Sequence, residues 1–165
     1  MTSKFFTKAS DINLNGPPWL VTDVLSVYVL NDEGELSLWK DDACTNAFDP
    51  PQLDVQKEVS TGLYFHIASG SEHGTEFSDG LDNNPPPLTW EAGSYPSSVT
   101  PGKFEQFKKA FSLKDYWNHS NNQDYSFTLN IKMPDGSVRT VALVDSIDPT
   151  IVERGEEPPP ETRED

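Results

Sequence analysis

Between Tyr125 and Met133 the chain alternates: Tyr125, Phe127, Leu129, Ile131 and Met133 are apolar, with Ser126, Thr128, Asn130 and Lys132 between them. Successive side chains of a strand point to opposite faces, so this run predicts a strand with one buried and one wet face. Pro134-Asp135-Gly136 then supplies a turn: Pro presets φ, Asp tolerates the bridge region and Gly takes the left-handed position. Residues 138–144 are apolar on both faces and read as an inner return strand. This hairpin is the strongest structural signal in the chain, and it signals scaffold rather than chemistry.

Upstream, residues 19–30 (WLVTDVLSVYVL) are rich in β-branched side chains and predict a strand. Asn31-Asp32-Glu33-Gly34 is turn chemistry, and residues 35–40 return as a second strand carrying Leu36, Leu38 and Trp39. Residues 53–59 fit either one helical turn or a short edge strand. Residues 61–68 are strand-like, with Leu63, Phe65 and Ile67 on one face and Tyr64 and His66 on the other. The polar run 69–87 reads as a long loop, and loops of that length are usually functional or disordered. Residues 88–90 read as a brief strand.

Thr100-Pro101 has the form of a helix start, with Thr as N-cap and Pro at the first helical position. Phe104, Phe107, Ala110 and Phe111 follow at helical spacing, and Lys103, Lys108 and Lys109 fall largely off that stripe. The pattern predicts an amphipathic helix over 101–111. Ser112 with Asp115 resembles a capping box for a short second helix over 113–118. The expected fold is therefore α+β: a mostly antiparallel β-sheet built from hairpins, with the helix packed on one face. A β-sandwich with a helical insertion is the alternative. Residues 1–18 read as an extended lead-in, 19–149 as a single domain, and 150–165 as an acidic Pro/Glu-rich disordered tail.

With 165 residues, 35% hydrophobic and 11% aromatic, the chain can bury a core without metal or disulfide staples. No apolar run approaches the ~20 residues needed to span a bilayer, and no secretory leader is visible. The lone Cys44 forms no internal disulfide; these features suit a cytoplasmic setting, in which the sequon Asn118-His119-Ser120 reads as chance. The net charge of −15 is unevenly placed: residues 31–94 hold thirteen acids against Lys40 and Lys57. The tail 151–165 adds six acids against Arg154 and Arg163, while the other segments balance. Such charge aids solubility, and it also offers a basic partner a complementary field. Direct binding of nucleic acid is disfavoured, because phosphates are repelled.

Catalytic signals are weak. His66, Glu72, His73, Glu76, Asp79 and Asp82 combine nitrogen and carboxylate groups, but their spacing fits no tight metal template. The plain reading is a solvated acidic loop beside a strand histidine; His66, His73 and Asp79 are the metal-ligand candidates if that reading fails. Cys44 sits beside Asp41-Asp42, which would raise its pKa, and no G-x-S-x-G or phosphate cradle occurs. No cofactor is implied.

Trp90 and Tyr95, flanked by Pro and Gly, are the aromatics expected to be exposed. The leading expectation is a small non-enzymatic interaction domain, of inhibitor, immunity or adaptor type. It presents the acidic loops 41–58 and 69–91 to a basic protein, with Glu72, Glu76, Asp79 and Asp82 steering the encounter and Trp90 and Tyr95 as anchors. A metal-dependent hydrolase using His66 and His73 is the alternative, and a carbohydrate-binding module the third. The sequence leaves the oligomeric state open.

Overall fold

The computed structural model describes residues 23–48, 52–81, 83–104, 107–118, 123–141 and 150–154. Eleven strands follow one another among these residues, and none of them is helical. In chain order they are β1 (Asp23–Asp32), β2 (Glu35–Trp39), β3 (Gln52–Gln56), β4 (Thr61–Ile67), β5 (Glu76–Phe77) and β6 (Leu88–Trp90). Then come β7 (Val99–Phe104), β8 (Ala110–Asp115), β9 (Gln123–Lys132), β10 (Val138–Thr140) and β11 (Thr150–Arg154). One sheet has the order β2-β1-β4-β8-β7, with β1 and β4 parallel. The other has the order β10-β9-β11-β3, with β5 and β6 also paired to β9 and with β11 parallel to β3. Both sheets are mixed, and the fold is all-β rather than α+β.

The alternation around Tyr125 makes β9 the spine of the second sheet. Phe127, Leu129 and Ile131 are fully buried, and Met133 nearly so. Four strands pair along it: β5, β6, β10 and β11. The turn forms as expected, with Gly136 at φ 91° and its N–H donating to Met133 O at 2.8 Å. Asp135 steadies it by accepting from the Ser137 N–H and hydroxyl. Two details depart from the pattern. Of the expected return strand 138–144, β10 covers Val138–Thr140 and sits at the end of the sheet order rather than inside it, while residues 142–144 lie outside the described residues. Asn130, expected on the wet face, is buried.

The β1–β2 hairpin closes through Glu33 and Gly34, both at positive φ (52° and 96°) between the paired Asp32 and Glu35. Two consecutive left-handed residues make the turn whose twist matches the flanking strands. Within the run 53–59, residues 53–56 belong to the edge strand β3 rather than a helical turn, and 57–59 follow it outside the strand.

The expected helices over 101–111 and 113–118 are replaced by the β7–β8 hairpin. Phe104 faces Phe111 across it, and a one-residue register shift separates the Pro101↔Leu113 and Phe104↔Phe111 pairs. A bulged hairpin thus produced apolar spacings of three and four that mimic a helix. The position that discriminates is Phe107: a helical stripe would bury it, yet it is 64% exposed, beside the left-handed Lys108 at φ 63°. Pro101 is tolerated because β7 lies at the sheet edge.

The two sheets share one core. Phe65 of β4 stacks on Phe111 at 4.7 Å and meets Phe127 of the opposite sheet edge-on at 5.8 Å. Phe77 closes edge-on against Phe111 at 4.8 Å. Buried Trp117 donates its indole N–H to Val55 O at 3.1 Å, tying the segment after β8 to β3. Residues 150–154, read from sequence as the head of the tail, form β11 between β9 and β3, with Ile151 fully buried. The lead-in 1–18 and residues 155–165 lie outside the described residues.

Candidate functional site

Three turns meet at one end of the sandwich, and a buried asparagine holds two of them together. Asn31, the penultimate residue of β1, accepts the Gly34 N–H on its side-chain oxygen at 2.8 Å. Its side-chain nitrogen donates to Thr75 Oγ1 at 2.9 Å, and its carbonyl accepts the Glu72 N–H at 2.9 Å. Ser71 adds its hydroxyl to the Asn31 N–H and to Val29 O. The segment 69–75 is thereby fastened to the β1–β2 turn. On its other side, Gly74 at φ 95° packs against Pro134 so closely that a Cβ would lie 3.3 Å from the Pro134 Cβ. That contact joins the β9–β10 turn to the group, and Arg139 of β10 completes it by donating to Gly34 O. Substituting Asn31→Ala orphans buried partners and is expected to cost about 1–3 kcal/mol. The check is a urea titration together with proteolysis of the 69–75 segment, which should become sensitive.

Between these turns lies an open cleft of about 320 Å³, lined by Glu33, Glu72, Asp135, Arg139 and the turn residues around them. The three carboxylates are exposed, and Arg139 is the one cation among the described residues of the lining. Hydrogen bonds from Ser137 hold the Asp135 carboxyl below its usual range, so it is charged well into acid. The arrangement presents a fixed negative rim built from both sheets.

The other expected steering acids are placed elsewhere. Glu76 is half-buried in β5, opposite Lys132 in the β9 register. Asp79 binds Lys108 at 2.9 Å and accepts the Leu81 N–H at 3.0 Å. Burial opposes its charge, but these bonds outweigh that effect and keep its pKa below the ordinary value. Asp82 lies outside the described residues. The expected loop 41–58 contains strand β3; in the segment 41–48 before it, Asp41 caps Thr45 and Asn46, and Asp42 binds the Ser69 N–H and hydroxyl at 2.8 and 2.6 Å. These acids fasten loops.

Trp90 and Tyr95 are not the exposed pair expected. Trp90 is 6% exposed and packs on Phe127, with Tyr95 half-buried against it at 5.4 Å. Burial pushes the Tyr95 phenol up. Their segment is ordered by a second buried asparagine: Asn130 donates to Pro86 O and Thr89 Oγ1, both at 2.8 Å.

His66 and His73 do not converge with Asp79. His66 stacks on Tyr28 at 4.5 Å on the outer face of the first sheet, and His73 is exposed in the 69–75 segment. Burial lowers the His66 pKa, partly offset by Asp42. Among the described residues no three His, Cys, Asp or Glu side chains come together as metal ligands. Cys44 is an unactivated thiol, its pKa raised by burial and then by Asp41 and Asp42.

No family model matches this chain, and no curated protein matches it significantly. The reading of the site thus rests on its own residues. The sequence reading finds Glu72 but misses Glu33 and Asp135, which it assigns to turns, and Arg139, which it places in the return strand 138–144; the signal for the two acids is charge placed beside a turn glycine. None of the described residues forms a helix long and apolar enough to cross a membrane.

Proposed function

We propose that this protein is a non-enzymatic interaction domain that presents its acidic end to a basic protein, as an inhibitor, immunity or adaptor protein would. The observation that carries the reading is the cleft rim. Glu33, Glu72 and Asp135 are exposed on three turns that Asn31, Gly74 and Arg139 hold in fixed relation. A preset negative rim accelerates encounter with a positive surface and selects among partners, at no ordering cost on binding. The acids held within the loops add to the long-range field without making contact. A cytoplasmic setting suits the reduced, unactivated Cys44.

The test is the association rate with the basic partner, measured for the parent and for E33K/E72K at low and high salt. The double reversal should lower the low-salt on-rate by about tenfold or more and flatten its salt dependence. An unchanged on-rate and salt dependence would remove the acidic end from the interface.

A further inference from the structure

The acid that sequence reading took for a helix cap, Asp115, ends β8 with its side chain inside the sandwich, fully buried. Glu153, from β11 of the opposite sheet, is also fully buried and falls on the same inward face as Ile151. The two carboxyls act on each other directly, and Ser98 donates its hydroxyl to Glu153 Oε2. Neither Asp115 oxygen receives a hydrogen bond among the described residues. Two ionised carboxylates in that environment are prohibitively unfavourable unless something neutralises them.

We propose that Asp115 and Glu153 share one proton and act as a latch between the two sheets, closed while the proton is held and released when it leaves. With a proton on Asp115, its O–H donates to Glu153 and both buried groups are satisfied. On release the proton passes to bulk water, and two like charges remain inside.

The surroundings favour a proton over a metal ion. Asp115 lies between Thr61 of β4 and Val99 of β7, and Glu153 between Val55 of β3 and Gln123 of β9. Among the described residues, the further titratable group facing the pair is Tyr125 of β9, whose phenol is raised by burial and by Glu153 and donates to Gln123. Among the described residues, the charge acting on Asp115 is that of Glu153, and no cation contributes. A hard cation would require about six to eight oxygens, more than Asp115, Glu153 and Ser98 bring. Burial, then the neighbouring Glu153, pushes the Asp115 carboxyl up to about 9.

The sign of the pH dependence follows from that direction. Asp115 binds its proton more tightly folded than unfolded, so its contribution is complete below the unfolded carboxyl range, near 3.8. It is lost as pH rises towards about 9. Across that window one extra proton held by the folded state lowers the folded-to-unfolded ratio by about tenfold per pH unit.

The experiment is urea unfolding of the full chain between pH 5 and 10 for the parent, D115N and E153Q, with infrared spectra of the parent at pH 7. The parent should show a protonated carboxylic acid band that D115N lacks. Its stability should fall with pH more steeply than that of D115N by about one proton. Equal slopes in parent and D115N would overturn the latch, as would an absent acid band in the parent should D115N fail to fold. Calcium that raises the parent's melting temperature at pH 7, but not that of E153Q, would assign the pair to a cation and overturn it as well.

Discussion

A chain ending at Pro149 is expected to remain unfolded, although the missing residues include the most polar stretch of the protein. The deletion removes β11, which pairs over four positions with β9 and five with β3. It also empties the inward positions of Ile151 and Glu153 and leaves β3 without its neighbour. Two strands with freshly exposed edges and a core opened along one side cannot offset the conformational entropy of ordering the remainder. A chain ending at Gly155, which keeps the whole strand, should fold like the parent. Circular dichroism and the dispersion of amide proton shifts distinguish the two. A cooperatively folded 1–149 chain would show that β11 is an accessory rather than an inner strand.

Phe65→Ala should be the most damaging single truncation in the core. Phe65 is fully buried on β4, stacked on Phe111 and edge-on to Phe127, so it connects both sheets. Removing the ring leaves a cavity that neighbours on two rigid sheets cannot collapse into, at a cost of about 3–5 kcal/mol. Against a typical domain stability of roughly 5–15 kcal/mol, that brings the protein near the edge of folding. Phe107→Ala is the informative contrast. It belongs to the same stripe as Phe104 and Phe111 but is 64% exposed, and should shift stability by no more than about 0.5 kcal/mol. Urea midpoints for F65A, F104A and F107A give the comparison. A large loss in F107A would favour a helical stripe over the hairpin.

The acidic end illustrates how a site can be half readable. Glu72 stood out because it lies in a long polar loop, and loops of that kind attract functional interpretation. Glu33 and Asp135 were visible only as turn residues, since their charge was secondary to the backbone role of Gly34 and Gly136. Their convergence depends on Asn31 and Arg139, which bridge segments 44 and 105 residues apart. Buried asparagines such as Asn31 and Asn130 look like ordinary wet-face or turn residues in a linear pattern. Only the loops folded over them reveal that they order the 69–91 region.

What the amino-acid order determined by itself was local. The β-branched run placed β1, and the period-two runs placed β4 and β9 with their inward faces. The Glu33-Gly34 and Pro134-Asp135-Gly136 turns set two hairpins, because φ preferences act between neighbours. The tertiary structure decided the rest. Phe104 and Phe111 are seven residues apart, a distance compatible with two turns of helix or a bulged hairpin, and the neighbouring strand β4 selects the hairpin by pairing with β8. Residues 150–154 have too little apolar content to mark a core strand alone; β9 and β3 make them one by supplying hydrogen-bond partners on both sides. Asp115 and Glu153 are unremarkable acids 38 positions apart until the two sheets close over them. Each of these outcomes depends on which distant segment arrives alongside, and that information is carried by burial and pairing across the whole fold rather than by any window of the chain.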